Sequence, residues 1–173
     1  MLKLVATEMN LPWIAGESVQ KTYVSDTLPP TEQCTAAFAI VIKDRKLLLT
    51  ELREGERAAR QLDIPGGHRD SHESPEDAAM RETFEETGVE VKVLKPVGYM
   101  QTTVISAKPD DFPYPYPQCH MALYLCEAVS ESDFAGNDET HGRTWLSLDE
   151  LGKSAWCVKN KAFLDVIVSA IAA

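Results

Sequence analysis

The sequence predicts a layered α/β domain. Strand-like and helix-like segments alternate along the chain in mixed order, the pattern of layered α/β proteins. The 173 residues suit one compact domain with a real core. A hydrophobic fraction of 44% and a charged fraction of 25% exclude low-complexity disorder.

Residues 1–30 read as an N-terminal extension closed by Leu28-Pro29-Pro30, with a short strand at Val19–Val24. The pattern leaves two forms open, a hairpin or a dimer arm; the second would make the chain a homodimer. The main domain is expected over residues 31–173. Cys34–Ile42 and Leu47–Leu49 predict two strands joined by the polar turn Lys43-Asp44-Arg45-Lys46. Residues 51–60 are highly charged, a loop or a short helix. Leu62-Asp63-Ile64 reads as a strand halted by Pro65-Gly66-Gly67.

Ser74-Pro75-Glu76-Asp77 is a helix start: Ser74 caps, Pro75 suits the first turn, and the acids favour the positive end. Gly88 is a stop, so the helix is predicted over Pro75–Thr87. Val89–Tyr99 follows as a strand, and the four prolines within 106–118 mark a loop. Cys119–Val129 is a buried strand and 131–143 a polar loop; Thr144-Trp145-Leu146 is a short strand, then a helical turn at 147–151. The tail from Ala162 is apolar but interrupted by Asp165. It is too short to span a bilayer and reads as a helix docked on the core, so no membrane partner is expected.

A net charge of −10, from 17 Lys+Arg against 27 Asp+Glu, argues against a long nucleic acid as ligand. It leaves room for a small anion held through a cation. Cys34, Cys119, Cys126 and Cys157 form no C-x-x-C pair, and no His stands at zinc-finger spacing. Four reduced thiols in a cytoplasmic protein are expected, in keeping with the absence of a signal-peptide pattern in the first residues.

Glu82, Glu85 and Glu86 sit at i, i+3 and i+4, so their carboxylates project within an arc of roughly 100°. Met80, Thr83, Phe84 and Thr87 are expected opposite them, facing the core. Like charges so spaced cost roughly 0.2–0.5 kcal/mol per pair. Arg81 offsets one of three. The face is either a solvated surface or a site that waits for a hard cation.

Gly67, Glu73, Arg81, Glu82, Glu85, Glu86 and Gly88 also stand at the spacing Gly-x5-Glu-x7-Arg-Glu-U-x-Glu-Glu-x-Gly-U, with Val89 as the last bulky aliphatic residue. This resembles the signature of the Nudix hydrolases. At roughly 5–7% average usage per residue type, seven matches in one register have a chance on the order of 10⁻⁸. Thr83 departs from the pattern, where an aliphatic residue is usual. The Pro65-Gly66-Gly67 approach and Trp145…Asp149-Glu150-Leu151 extend the likeness over residues 33–152.

The resemblance implies a Nudix-type α/β/α sandwich with a mixed sheet. It implies magnesium, or manganese in its place, held by Glu82, Glu85, Glu86 and the carbonyl of Gly67, with Arg81 orienting the glutamates and Glu73 bracing the loop. Glu139 stands where similar proteins place a further carboxylate, though it also belongs to an acidic loop. The implied reaction cleaves a diphosphate linkage in a nucleoside diphosphate derivative or (d)NTP. Glu82 or Glu139 would take the proton from the attacking water.

The signature reports a reaction rather than a compound. Arg53, Arg57, Arg60 and Arg69 flank the approach to the glycine turn and are candidates for guiding phosphates. Tyr114 and Tyr116, stiffened by prolines, are candidates for stacking on a base. Their loop faintly resembles that of Nudix NADH pyrophosphatases, without its opening Ser-Gln or that subfamily's zinc ribbon, so NADH is one candidate. His68 and His72 read as exposed loop histidines without a role. A catalytically inactive Nudix-fold nucleotide-binding module is the rival reading; a calcium-binding structural helix lacks the loop it would need.

Overall fold

The computed structural model describes residues 2–53 and 62–172. Strands β1 (Leu2–Met9) and β2 (Ser18–Ser25) form an antiparallel hairpin, bulged between Leu4 and Ala6. Next come β3 (Cys34–Lys43), β4 (Lys46–Leu52), β5 (Leu62–Asp63) and β6 (Gly66–His68). Helix α1 (Pro75–Thr87) precedes β7 (Val89–Val104), β8 (Gln118–Glu131) and β9 (Thr140–Ser147). A 3₁₀ segment (Leu148–Lys153) leads to α2 (Ala155–Lys159) and α3 (Lys161–Ala172). No described helix is long and apolar enough to cross a membrane.

Among the described residues the strands run in the order β1-β2-β7-β8-β3-β4-β5, with β6 added to β3 and β9 to β4. The sheet is mixed because β3 and β8 run parallel while the neighbouring pairs are antiparallel. Residues 2–25 are thus a hairpin laid along β7.

The β3–β4 turn has positive φ at both Asp44 and Arg45 (49° and 58°), the geometry of the tight hairpin turn. The two strands stay paired only at Ile42↔Leu47 and Lys43↔Lys46. Beyond that they part, and β6 and β9 take up the edges so opened.

Several bounds differ from the pattern in the sequence. β7 runs five residues past Tyr99, because Gly98–Val104 pairs with β2 and Gly98–Thr103 pairs with β8 as well. β9 begins at Thr140, so Thr140–Arg143 is strand rather than loop, paired with β4. The short helix α2, capped by the Ser154 hydroxyl, has no counterpart in the sequence reading. The charged stretch 54–61 lies outside the described residues.

Alternate residues of β3 divide the core. Ile40 faces Leu47, Leu49, Leu123 and the α3 residues Phe163, Leu164 and Ile167. Ala37, Ala39 and Val41 face the α1 residues Ala78 and Ala79, together with Ala122 and Tyr124. The expected terminal helix is therefore docked on one face of the sheet, and α1 on the other. All four cysteines are free and buried. Burial pushes the thiols up, Cys119 and Cys157 to about 11, so they stay protonated and inert at neutral pH.

Candidate active site

Helix α1 begins and ends where its sequence directs. Ser74 Oγ accepts from the Asp77 N–H, Pro75 occupies the first turn, and Gly88 closes the helix in the left-handed region (φ 67°). Its buried stripe is Pro75, Ala78, Ala79, Thr83, Glu86 and Thr87. This corrects the expected division of faces: Phe84 is 46% exposed and Glu86 only 4%. The helical wheel fixes which residues share a face, but not which face turns inward. The two alanines decide that, since they let α1 approach the small residues of β3, and the turn carrying Glu86 goes in with them.

Glu86 is the most buried acid of the helix. One oxygen accepts from the Gly66 N–H at 2.9 Å. Burial still pushes its carboxyl up to about 8, and the negative charges of Glu82, Asp63 and Glu139 add to the rise. Glu82, half-buried, is also raised, first by desolvation; Arg81 opposes the shift, and Glu85 and Glu139 reinforce it. Glu85 is exposed and reaches Arg81 at 3.0 Å.

Arg81 organises the cluster. Its guanidinium donates in bidentate fashion to Glu73 at 2.8 and 3.0 Å, to Glu82 at 2.9 Å, to Glu85 at 3.0 Å and to the His68 carbonyl at 3.0 Å. The hydrogen bonds to Arg81 hold Glu73 below the usual carboxylate range. Glu73 also accepts from the Asp70 N–H at 3.0 Å, so it braces the loop before the helix.

Neither glycine of the preceding turn can be replaced at no cost. Gly66 has φ +147°, and a Cβ there would lie 2.4 Å from the Ala37 carbonyl oxygen. A Cβ on Gly67 would lie 2.7 Å from the Glu82 carboxyl carbon, so bare backbone meets the acid cluster at that point.

Glu139 is exposed, immediately before β9. Its neighbours staple its loop to the end of α1: Asn137 donates to the Glu85 carbonyl at 2.8 Å and Thr140 to the Glu86 carbonyl at 3.1 Å. Neither contact was visible in the sequence, since each spans more than fifty residues. Asp63 was missed as well; the only signal was an acid two residues ahead of the Pro-Gly-Gly turn.

The candidate substrate residues divide. Arg53 lies by the Glu139 loop: its N–H donates to the Glu139 carbonyl at 3.0 Å and its Nε to the Asn137 carbonyl. Arg69 lies in the loop between β6 and α1. Its guanidinium donates to the carbonyls of Cys34 (2.9 Å) and Glu73 (2.7 Å). Arg57 and Arg60 lie outside the described residues. Tyr114 meets His68 beside the glycine turn, with Nε2 and the phenol oxygen 2.5 Å apart. Tyr116 turns away instead and donates to the Ser106 carbonyl at 3.1 Å.

Among the described residues, no three His, Cys, Asp or Glu side chains already stand at metal-ligating spacing. Arg81 bridges Glu82 and Glu85 instead. The donor chemistry nevertheless fits a hard cation. The acids are carboxylates, two of them carry raised pKa values, and positive charge beside them would relieve their repulsion.

A mixed sheet between helices, with a glycine turn and an acidic helix together on one face, defines the class. The NUDIX domain model matches residues 33–165, and the chain belongs to that family. A Bacillus subtilis protein provisionally named an 8-oxo-dGTP diphosphatase is 31% identical over 111 residues, 64% of either chain. The chain spans between 38% and 64% of the length of the curated relatives it matches. A solved Bacillus subtilis pyrophosphohydrolase shares 25% identity at a TM-score of 0.55, covering 72% of this chain and 70% of that one. A NUDIX hydrolase from Nitrosomonas europaea shares the fold at a TM-score of 0.59 and 21% identity, covering 79% and 90%.

Proposed function

We propose that the protein is a magnesium-dependent hydrolase of the diphosphate linkage in a small nucleotide, a (d)NTP or a nucleoside diphosphate derivative, acting in the cytoplasm. The observation that carries this reading is the buried Glu86, held by the Gly66 N–H within reach of the charges of Glu82 and Glu139. An uncompensated acid in that position is costly, and a cation bound there would offset the cost.

Glu82, Glu85, Glu86 and the Gly67 carbonyl are the groups that would hold the ion. When bound, magnesium supplies charge neutralisation for the phosphates and acidifies water. The chain's own part is to fix the acids through Arg81 and Gly66, and to accept a proton from the attacking water at Glu82 or Glu139. As that proton leaves, the water oxygen bonds to phosphorus and the anhydride P–O bond breaks. Arg53, beside Glu139, stands near enough to the loop to pair with a phosphate.

Among substrates, the relatives named for 8-oxo-dGTP support an oxidised dNTP as the first to try. The test is a panel of dNTPs, oxidised dNTPs, NADH, ADP-ribose, nucleotide sugars and dinucleoside polyphosphates. Phosphate release is read with and without magnesium, beside Glu86→Gln. Hydrolysis that needs both the ion and Glu86 supports the reading. Folded protein that binds magnesium but cleaves nothing supports a binding module instead.

A further inference from the structure

Strand β1 ends the sheet order, so among the described residues no strand lies along its outer side. A free edge of eight residues is an opening for another chain. What β1 offers there follows from its pairing with β2. The Asn10 N–H donates to the Ser18 carbonyl at 2.7 Å, and antiparallel bonds alternate along a strand. Counting back from Asn10, Glu8 and Ala6 turn their backbone groups toward β2, whereas Met9 and Thr7 turn theirs outward. The bulge between Leu4 and Ala6 inserts one residue and shifts the count, so Leu4 and Leu2 also face outward.

The side chains sort in the same way. On β2, Thr22 bonds to Asn160 at 3.0 Å and Val24 packs on the core that holds Phe163, so both point to the face that carries α3. Their partners Ala6 and Lys3 lie on that face. So do Val5, which packs on the same core, and Glu8, which reaches Lys159. Leu2, Leu4, Thr7 and Met9 lie on the other face, where Leu2, Leu4 and Met9 are 63%, 47% and 57% exposed.

Laid antiparallel on a copy of itself, with a twofold axis between Val5 and Ala6, β1 is self-complementary. Leu2 meets Met9, Lys3 meets Glu8, Leu4 meets Thr7 and Val5 meets Ala6. Each outward backbone group faces another, each pair shares a face, and the one cation of the strand meets the one anion. In a regular strand, residues an odd number of places apart lie on opposite faces, so Lys3 cannot face Glu8 of a second copy. The bulge restores the match. Against β2 it sets two residues opposite one; against its own copy it sets two opposite two.

We propose that the free edge of β1 binds the same edge of a second copy, joining two sheets into one across a twofold axis. Pairing uses up both edges, so assembly through β1 stops at the dimer. Leu2 of each copy covers Met9 of the other, and the flanking charge pairs fix the register. The hairpin and the dimer arm, alternatives in the sequence, become one element. The dimer is independent of the proposed reaction, and its test reads mass alone.

The experiment is sedimentation velocity on the full chain across the micromolar range, with a thermal melt of each variant. The unmodified protein is expected at twice the mass of one chain. Thr7→Pro removes an outward N–H and spares the bonds to β2; it should weaken the dimer about tenfold. Lys3→Glu and Glu8→Lys should each weaken it severalfold, by setting like charges opposite one another. An equal mixture of those two variants should regain it, because only the mixed pair has opposite charges at both ends. If Thr7→Pro melts early, the charge variants and their mixture decide alone, since they remove no backbone bond. A monomer at the highest concentration overturns the proposal. So does a dimer indifferent to Thr7→Pro, which places the interface elsewhere, and so does a mixture that fails to restore what the charge variants lose, which refutes the register.

Discussion

Helices α1 and α3 are of similar length, 13 and 12 residues, and pack against opposite faces of one sheet. They do it differently. α3 inserts Phe163, Leu164 and Ile167, large side chains that fill space. α1 inserts Ala78 and Ala79 against Ala37 and Ala39. Small residues on both sides bring the helix close to the sheet, and Glu86, with Glu82 in part, is drawn out of water in consequence. Docking through bulk gives a support; docking through alanine gives a support that also desolvates carboxylates.

The sharpest test separates the two roles. Glu86→Gln should lower kcat on the best substrate on the order of 10²–10⁴-fold while leaving a folded protein, as judged by circular dichroism. Survival of activity would mean α1 is another α3. Phe163→Ala is expected to do the reverse. It removes a fully buried ring and should cost about 3–5 kcal/mol in urea unfolding, with kcat per folded molecule retained. Between them stands Ala79→Leu, at a site with no exposed surface. Overpacking should destabilise by about 1–3 kcal/mol. Unlike Phe163→Ala it should also depress kcat, because it lifts the acids off the sheet; a stability loss with unchanged kcat would break the link between close approach and function.

The smallest effect is in pH. Glu86 has its folded pKa raised from 4.5 to about 8, so the folded state holds the proton more tightly than the unfolded one. Its contribution to stability is present below about pH 4.5 and is lost as pH rises toward 8. In metal-free protein the melting temperature should fall between pH 5 and 8, and Glu86→Gln should flatten that slope. Magnesium should oppose the fall, by favouring the ionised form. The window excludes Glu73 and Glu131, whose lowered pKa values act only in more acidic solution.

The helix that carries the site was readable from the sequence because its signals are local: Ser74 and Pro75 start it, and Gly88 ends it. So were the strands on either side of the Asp44-Arg45 turn. The sidedness of α1 was not readable. Glu86 and Phe84 differ by two positions, and only the sheet beneath decides which goes inward. Nor were the partners of Arg69 legible, since they are the carbonyls of Cys34 and Glu73 and carbonyls leave no trace in composition. The pairing of His68 with Tyr114 bridges 46 positions.

The bulged hairpin β1–β2 occupies the flank of β7 along Ser18–Val24, ahead of the stretch matched by the family. A chain trimmed to begin near residue 33 would retain every acid of the site yet lay bare the ladder groups of Gly98–Val104, a stretch rich in threonine, tyrosine and valine. Such an edge recruits other edges. The hairpin thus acts as a selvedge, and its removal is expected to yield protein that precipitates in a concentration-dependent way rather than a smaller active domain.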